Sequence, residues 1–595
     1  MKYVSLGIDL GTTNSAICFS YTDKRVKTQL IDIPNSKNGG ILPSCVKYLS
    51  RDEVEVGVSA YNTRWQPSVA YSMKRHMTEG ASFKKHIIAE NGEEFDVTPI
   101  EVGSKVLKHM INYAEDALGI DNINVKAKYT ITVPAYFNEV ARFNTVEAAK
   151  MAGIDEEMLT LINEPTAAAL SYGITARSRK EKILVYDLGG GTFDVAMLTI
   201  ERGRDNKPTF TVTNCDGDDN LGGDDLDNEI ARFCTKLICE KINNEFGVEV
   251  SPEQLEGSDG YRKIVLNCEK VKKVGQGVAT VKFDINTLGL NPEIGNEIIA
   301  KNGSEIIGLN ISFDSVKEIS DRVLVEPTTR IIDSLLMRED TSRLSSMVMI
   351  GGSTKGDELI ESIEERYPDL VINNTADPDR SVAIGASIYT EMILNDEANR
   401  LSDVIQLPIG VLSIIDGKQG LDRVISQNSR IPVSATRNYS TLSRDQDGLD
   451  IQVYQGKSPY IEDCIQLGTL KVKGLQEVAK RKSEYLEGDS IPFTIKLNVN
   501  VSGILTATVT CFDETWVGEI SRLASGVKEE NQQPKSKEAF IKKRQINLIK
   551  QMVSDEELDK VLEQYEEEFA KGMKNASKFI SDLRNKDKFA TTNLF

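Results

Sequence analysis

Two glycine-rich turns carry acidic residues that could hold a phosphate through a bound cation. In residues 6–19 and again in 183–198, an apolar strand runs into Asp-Leu-Gly, a turn of small residues follows, and a second apolar strand returns. Glycine has no Cβ, so the backbone N–H groups of such a turn can lie close to an anion. Asp9, Asp187 and Asp194 would repel a bare phosphate, which predicts a metal–nucleotide site. An ordinary hairpin, whose glycines only make the turn, is the alternative interpretation.

The repetition of this motif indicates duplicated subdomains. Asp9 and Asp187 begin the two copies, 178 residues apart (187 − 9 = 178), a spacing that fits an internal duplication. Two facing hairpins, each with a carboxylate at its mouth, can clamp a triphosphate and its metal between two lobes. A strand follows each turn, whereas the dinucleotide-binding fingerprint and the P-loop both need the N-terminus of a helix there. The sequence therefore excludes those two phosphate sites.

Composition narrows the class of protein. The 595 residues are enough for roughly four domains, and the net charge of −19 argues against nucleic acid or an anionic membrane as the main partner. The eight cysteines include no C-x-x-C pair, and the three histidines show no metal-ligand spacing. No 18-residue apolar run occurs, and Gly7 and Asp9 stand where a secretory leader would need apolar residues. We therefore expect a cytoplasmic protein with reduced thiols.

Further candidate residues follow in the first two thirds of the chain. Glu164 follows a strand and opens a helix, so its carboxylate can face a cleft, or it is simply a charge favoured at a helix start. The acidic, glycine-rich stretch 216–225 predicts a loop beside a phosphate. Glu269, Lys272 and Lys273 are spaced to share one helix face, where a surface ion pair is the default interpretation.

The pattern of apolar and polar residues changes in the last third of the chain. A third strand-to-glycine turn occupies 347–354, and the helix after it ends near Asn395. Residues 397–407 are polar and then apolar, which is typical of a linker able to dock as an edge strand. Alternating apolar and polar residues from 409 to about 513 predict a β-sandwich, and the chain then becomes helical.

These motifs, in this order, resemble the Hsp70 chaperone family over nearly the whole chain. The resemblance rests on the two hairpins, Asn163-Glu164-Pro165-Thr166, Gly351-Gly352-Ser353-Thr354 and the sandwich after a short linker. The first half is also similar to the wider actin and sugar-kinase superfamily, and the shorter lid is similar to the HscC-type bacterial branch. The resemblance implies a multidomain protein with an α/β, actin-like, two-lobe ATPase domain (1–396), a linker (397–407), a β-sandwich peptide-binding domain (408–513) and a short C-terminal α-helical lid (514–595).

The resemblance also assigns roles to single residues. It implies catalysis by Asp9, Glu164, Asp187, Thr192 and Asp194, with Asp9 and Asp187 holding Mg²⁺ through water. The residues that it implies for ATP are Gly11, Thr12, Thr13, Asn14, Gly189, Gly190, Gly191, Thr192, Gly222, Gly223, Glu269, Lys272, Lys273, Gly351, Gly352, Ser353, Lys355 and Asp379. Those that it implies for an extended peptide are Ile414, Tyr439, Leu442, Leu449 and Ile451, although Leu449 and Ile451 could equally be plain sandwich core.

One departure from the family concerns catalysis. The family places a lysine near the γ-phosphate, and we expect it a few residues before an Asn-Pro pair. Here the pair is Gln66-Pro67, the counterpart position falls on Ala60 or Tyr61, and no lysine occurs from Glu53 through Pro67. The sequence therefore predicts slow hydrolysis or a substitute such as Arg64. The basic run 74–77 is interpreted as a solvated helix end.

Two further departures affect binding and coupling. Lys273 and Lys355 stand where family members usually have arginine, which keeps the charge but loses planar stacking on the base. The linker carries Gln406 where the family usually has a leucine. Pro134 and Arg142 match the region that relays lobe rotation to the linker in the family.

The expected function is an ATP-gated chaperone that binds unfolded or extended polypeptides, with a J-domain co-chaperone and an exchange factor as partners and with no nucleic acid or membrane. A first rival is a nucleotide-dependent holdase or exchange factor with little hydrolysis, which the missing lysine favours. A second rival is a small-molecule kinase of the actin-like superfamily, against which the sandwich and lid argue.

Overall fold

The computed structural model describes residues 2–520, with gaps at 24, 38, 121–124, 176–177, 257–259, 270, 274–276, 342, 374–376, 416–417, 459 and 483–488. After residue 520 it describes only 535–536, 560–561, 564–565 and 578–579. Most of the predicted lid, 514–595, therefore lies outside the described residues. In the described part, no helix combines the length and the apolar character needed to cross a bilayer.

Two mixed sheets form the first part of the molecule. In spatial order the first contains Leu159–Asn163, Val125–Val133, Lys2–Leu10, Asn14–Asp23 and Arg25–Leu30, with Leu42–Pro43 also paired to Asn14–Asp23. The second contains Val371–Asn373, Leu344–Ile350, Lys180–Leu188, Phe193–Arg202, Pro208–Asp218, Leu401–Val404 and Arg430–Ile431. In each sheet the strand that ends in Asp-Leu pairs antiparallel with the next strand and parallel with a later one. The two sheets thus repeat one local topology, as the duplicated motif predicts.

Helices cover these sheets. They are Val58–Asn62, Pro99–Leu118, Glu139–Met151, Glu164–Thr175, Gly223–Lys241, Pro252–Glu256, Tyr261–Cys268, Pro292–Asn302, Phe313–Ser320, Glu326–Leu336, Asp357–Arg366 and Ser381–Leu394. Three small sheets accompany them, formed by Val278–Asp284 with Ile306–Ser312, by Val46–Tyr48 with Val54–Val56 and Val69–Ala70, and by Lys85–Ile88 with Glu94–Val97. Separate apolar cores lie beneath the first sheet and around the helices of the second.

A β-sandwich follows, as the alternating pattern predicts. One sheet contains Lys418–Ile425, Ile409–Ile415, Gly448–Gln455 and Ile465–Lys473. The other contains Val433–Ser440, Pro492–Val499, Leu505–Cys511, Glu514–Glu519 and Lys535–Ser536, and the helix Leu475–Arg481 packs beside them. The core between the sheets includes the fully buried Leu467, Leu497 and Val509.

The predicted helical start at residue 514 is wrong. Glu514–Glu519 is a strand that pairs antiparallel with Leu505–Cys511. Its side chains alternate, and Trp516 enters the sandwich core with 1% of its surface exposed. An aromatic residue between β-branched Thr515 and Val517 is typical of a half-buried strand, so the sandwich extends past residue 513.

The predicted linker forms a strand between two neighbouring strands. Leu401–Val404 is a strand that pairs parallel with Pro208–Asp218 and antiparallel with Arg430–Ile431 of the sandwich region. It therefore docks on the second sheet, as expected, but has a neighbour on each side and is not an edge.

Close packing of two helices generates a first prediction. A Cβ on Gly385, in helix Ser381–Leu394, would overlap the carbonyl of Ala167 in the facing helix. We expect Gly385→Ala to lower the free energy of unfolding by about 1–3 kcal/mol, because overpacking forces backbone shifts. Urea denaturation measures this change. Gly295→Ala is the matched control, since its nearest neighbour is Ile285 Cγ2 at 3.9 Å; it should be neutral or stabilising. Equal midpoints for the two variants would contradict the packing argument.

Candidate functional site

The two predicted hairpins face each other across a cavity of about 730 Å³. Strands Lys2–Leu10 and Lys180–Leu188 carry Asp9 and Asp187 to its wall. The turns touch, because a Cβ on Gly190 would overlap the hydroxyl of Thr13 in the opposite turn. Only glycine fits this close approach. The cavity therefore lies between two backbone turns, as the motif predicts for a phosphate site.

Most of the predicted nucleotide residues line this single cavity. They are Asp9, Gly11, Thr12, Thr13, Asn14, Glu164, Asp187, Gly189, Gly190, Thr192, Gly223, Glu269, Lys272, Gly351, Gly352, Ser353, Lys355 and Asp379. Gly191, Asp194 and Gly222 do not contribute to the lining. The side chain of Lys273 lies outside the described residues. Residues from seven separate segments of the chain thus converge on one site.

The expectation that this site lacks a lysine is wrong. Lys74, in the 3₁₀ turn Met73–His76, is 7% exposed and its Nζ lies 2.5 Å from Glu164 Oε1. It follows Pro67 in the chain, whereas the expected position of the lysine precedes that residue. Ser72, the residue before this 3₁₀ turn, has φ 54°, so the chain enters the turn in the left-handed conformation. The run 74–77 is therefore not simply a solvated helix end.

Four carboxylates surround this lysine. Burial and Glu164 raise the pKa of Asp9 to about 7, and the same two causes raise the pKa of Asp187 and of Asp194 well above the ordinary range. Lys74 acts in the opposite sense on all three. Thr132 donates to Asp9 Oδ1 at 3.0 Å and the Tyr136 N–H donates to Asp194 Oδ1 at 2.9 Å. The donors in the cluster do not compensate four ionised carboxylates, so these acids favour the neutral form unless a further cation is present.

The chemistry of this cluster fits a hydrated divalent cation with a phosphate chain. Asp187 Oδ2, Asp194 Oδ2, Thr13 Oγ1 and Asn14 Oδ1 are buried without a hydrogen-bond partner, and such groups normally have one. Within the described ranges, no three His, Cys, Asp or Glu side chains are grouped closely enough to hold a metal directly. An oxygen-rich site of this kind suits Mg²⁺, which keeps several waters and binds through phosphates and one or two carboxylates.

The neighbouring loops brace the second turn. The carbonyl of Gly189 accepts from Ser353 Oγ at 2.8 Å and from the Gly223 N–H at 3.0 Å. The Asp224 N–H donates to the Gly190 carbonyl at 2.7 Å. Gly351 has φ 86°, and a Cβ there would overlap the Leu188 carbonyl. Ser353 therefore holds the turn in addition to lining the cavity.

Residues of the two lobes also meet at Glu269. Tyr61 donates to Glu269 Oε1 at 2.8 Å, and Arg64 forms an ion pair with Oε2. The Tyr61 ring lies between two cations, with Lys37 Nζ 3.2 Å and the Arg64 guanidinium carbon 3.8 Å from its centroid. The suggestion that Arg64 replaces the catalytic lysine is therefore wrong, because Arg64 binds Glu269.

Two other predicted cations are also paired. Lys272 Nζ lies 2.8 Å from Asp227 Oδ2, and Lys355 forms an ion pair with Asp379. Lys272 is thus ion-paired, but with the buried Asp227 of helix Gly223–Lys241 and not in the surface pair that the sequence suggests. Since both pairs line or adjoin the cavity, their charges remain close to any ligand there.

A hydrogen-bond network connects the site to the linker. Glu164 belongs to the carboxylate cluster, while its neighbour Asn163 donates to Asp403 Oδ2 at 3.0 Å and Thr166 donates to the same oxygen at 2.9 Å. Arg142 donates to Asn163 Oδ1 at 2.5 Å. Asp403 is 8% exposed and lies in the linker strand. One strand-to-helix junction thus serves both the cavity and the linker.

The sandwich also contacts the first part directly. Lys457 Nζ lies 2.8 Å from Asp216 Oδ1, and Asn428 donates to Asn214 Oδ1 at 3.2 Å. The Leu161 N–H donates to Ser502 Oγ at 3.3 Å. The described arrangement is therefore a docked one.

The residues predicted for peptide binding divide into two groups. Leu442 and Ile414 are 81% and 55% exposed, while Tyr439 and Leu449 are half-buried against the sandwich core. Ile451 is 7% exposed and belongs to that core, which is the alternative given for it. Tyr439 also donates to Asp422 Oδ2 at 2.7 Å, so this wall of the sandwich is not purely apolar.

Comparison with known proteins agrees with this geometry. The family model described as Hsp70 protein matches residues 5–593. "Chaperone protein DnaK" of Mycoplasmoides gallisepticum (strain R(low / passage 15 / clone 2)) is 32% identical over 504 residues, covering 84% of this chain and 77% of that protein. Fold and site together define an ATPase joined to a β-sandwich. The chain belongs to the Hsp70 family, and it is an ATP-dependent molecular chaperone.

Two residues of the site escaped the sequence analysis. Lys74 was missed because the lysine was expected a few residues before Gln66-Pro67, whereas Lys74 follows that pair. A basic residue next to the buried Met73, instead of on a polar helix face, is the signal that could have revealed it. Tyr61 gave no local signal, because its partner Glu269 lies 208 residues away in the chain.

The contact at Glu269 generates a second prediction. Tyr61→Phe keeps the ring between its two cations but removes the hydrogen bond to a charged acceptor, worth about 1.5 kcal/mol or more. Because that bond joins the two lobes, we expect ADP to leave roughly 10-fold faster, measured by stopped-flow release of a fluorescent ADP analogue. Tyr113→Phe, on the exposed surface of helix Pro99–Leu118, is the matched control. Unchanged release from the Tyr61 variant would mean that the contact does not limit opening of the cleft.

Proposed function

We propose that ATP hydrolysis takes place in the cavity between the two hairpins and depends on Lys74. The observation that carries this proposal is the Lys74–Glu164 ion pair, at 2.5 Å, inside a cluster with three further carboxylates. Phosphoryl transfer needs mainly in-line positioning and stabilisation of charge. A buried ammonium group beside the phosphate chain supplies such charge without reorganisation.

The other residues divide the remaining tasks. The backbone of Gly11, Thr12, Thr13 and Asn14 and of Gly189, Gly190, Gly191 and Thr192 would hold the phosphates. Asp9 and Asp187 would hold Mg²⁺ through water, and bound Mg²⁺ would offset charge on the phosphate oxygens. Glu164, Asp194 and the Thr192 hydroxyl would orient the attacking water. The unpartnered oxygens of Asp187 and Asp194 support these roles, because they have acceptor capacity to spare.

The nucleoside would lie on the other side of the cavity. Glu269, Lys272 and Lys273 would hold it from one wall, and Ser353, Lys355 and Asp379 would close the opposite wall, with Gly222 and Gly223 near the phosphates. The present ion pairs of Lys272 and Lys355 would have to loosen or share their charge with the ligand. Lysine lacks the planar surface of arginine, so we expect modest stacking on the base.

The sandwich would bind extended segments of unfolded polypeptides between Leu442, Ile414 and the half-buried Tyr439 and Leu449. Exposed large apolar side chains of this kind commonly mark an interaction surface. Main-chain hydrogen bonds would supply affinity and the pocket a preference for apolar side chains.

Coupling would run through the linker. The docked strand Leu401–Val404 and the Asp403 contacts to Asn163 and Thr166 support a two-state equilibrium that ATP and peptide bias in opposite directions. A J-domain co-chaperone and an exchange factor are the partners we propose, in the cytoplasm and without nucleic acid or membrane. The low-turnover holdase is not favoured, because that hypothesis rests on a missing lysine and Lys74 lies at the site. The small-molecule kinase is not favoured either, because a β-sandwich follows the ATPase domain.

Removal of Lys74 is the main test. We expect Lys74→Ala to lower the rate of single-turnover ATP hydrolysis about 10²–10³-fold, because one charge-stabilising donor in a buried site is worth that much. Lys84→Ala, an exposed lysine outside the cavity lining, should keep the wild-type rate. Binding of a fluorescent ATP analogue to both variants separates catalysis from folding. A rate within twofold of wild type for Lys74→Ala would overturn the proposed mechanism.

The peptide site has its own test. Leu442→Ala removes an 81% exposed side chain, so the fold should be unaffected. We expect affinity for an extended leucine-rich peptide, measured by fluorescence anisotropy, to fall about 5–20-fold, since a buried leucine contact contributes roughly 1–2 kcal/mol. Met337→Ala removes an 86% exposed side chain of the first part and is the matched control. Equal affinities for the two variants would exclude Leu442 from the peptide site.

A further inference from the structure

Glu139 is a buried carboxylic acid at the contact between the ATPase domain and the sandwich. It is the first residue of helix Glu139–Met151 and only 2% exposed. Its N–H donates to Gln455 Oε1 of the sandwich at 3.3 Å. The next residue, Val140, packs into the apolar core of the sandwich. The docked sandwich therefore covers the start of this helix.

The carboxyl group has few partners in this position. Its Oε2 atom has no hydrogen-bond partner, and the main-chain N–H of Leu505 is its one donor from the sandwich. Arg142, on the same helix, is the charged group that stabilises its ionised form. The guanidinium of Arg142, however, donates to Asn163 Oδ1 and to the carbonyls of Phe137 and Ala135.

In the described part of the chain, the sandwich brings no ion-pair partner to Glu139. The sandwich strands present the neutral Gln455 side chain and the Leu505 backbone to this helix start. An ionised Glu139 in the docked form would thus be a buried charge with one backbone hydrogen bond, which is costly.

We propose that Glu139 makes docking of the sandwich on the ATPase domain proton-dependent, so that the docked form carries the neutral carboxylic acid and rising pH favours release. This inference rests on the two-state coupling proposed above.

The sign and size follow from linkage. Burial raises the pKa of Glu139 from 4.5 to about 7 in the docked form, whereas a helix start exposed to water has an ordinary carboxyl pKa. The docked form therefore binds more protons between these values, and this contribution to docking is lost as pH rises through about 7. Between pH 6 and pH 8 the docking equilibrium should change about 10-fold.

Hydrogen exchange measures the docked fraction in the full chain. With saturating ATP and Mg²⁺, amide protection of the linker strand Leu401–Val404 is compared at pH 6 and pH 8, after correction for intrinsic exchange rates. We expect the wild type to lose about 10-fold in protection beyond this correction. Glu139→Gln, which mimics the neutral acid, should change less than twofold. Glu147→Gln, on the same helix with its carboxylate paired to Lys150 at 2.7 Å, should behave like the wild type.

Proton uptake provides a check that does not need the protection factors. Calorimetry of ATP addition at pH 6.5, in buffers of different ionisation enthalpy, should show about 0.7 more proton taken up by the wild type than by Glu139→Gln. Equal uptake, or equal pH dependence of protection in the two proteins, would overturn the inference. If ATP itself leaves linker protection unchanged at both pH values, the proposed coupling fails instead. If the Gln variant does not bind ATP, Glu139→Met replaces it, because this variant also lacks the titrating carboxyl group at a similar side-chain volume.

Discussion

Repulsion among four carboxylates at the base of one cleft is the constraint on which the site depends. Asp9 and Asp187 come from matched strands of the two sheets, and Glu164 and Asp194 lie close enough to raise the pKa of their neighbours. One buried ammonium group, that of Lys74, opposes this repulsion. One ammonium group does not compensate the charge of four ionised carboxylates, so binding of a further cation in the cleft is favourable. A nucleotide that arrives with a divalent metal meets that need, whereas a bare phosphate does not.

The same constraint explains why the site can report its state to a distant domain. Glu164 lies at a strand-to-helix junction. Two residues of the same junction, Asn163 in the strand and Thr166 in the helix, donate hydrogen bonds to Asp403 of the linker. A backbone shift at Glu164 would therefore also move the residues that hold Asp403. The junction is buried, with Asn163 3% and Thr166 1% exposed, and packed interiors move between discrete arrangements. The link is a physical connection, and hydrogen exchange of the linker strand with ATP bound measures its energetic coupling.

Local pattern and composition were enough for much of the architecture. The helix from Glu139 to Met151, the helix ending before Gly119 and the two Asp-Leu-Gly hairpins all follow from short-range rules of periodicity and turn chemistry. The errors lie where those rules do not apply. Lys74 follows a left-handed backbone conformation at Ser72, which the sequence does not predict because serine rarely adopts it. The hydrogen bond between Tyr61 and Glu269 joins residues that are far apart in the chain, so no local pattern predicts it. The strand Glu514–Glu519 could be predicted only if Trp516 were known to pack into the sandwich core.

The docking surface is polar to a degree that bears on its reversibility. Asp403, Gln406, Gln455 and Glu139 are each less than 10% exposed, and Gln406 Nε2 and Glu139 Oε2 have no hydrogen-bond partner. Polar groups regain water when two surfaces separate, so their net contribution to association is small. An apolar residue at the position of Gln406 would instead add roughly the 1.5–3 kcal/mol of a buried side chain. A ligand shifts an equilibrium only by its differential affinity for the two states, and about 5.5 kcal/mol is needed to reverse a 99:1 ratio. A weakly held polar contact keeps docking within the range that ATP, peptide and a proton can reverse.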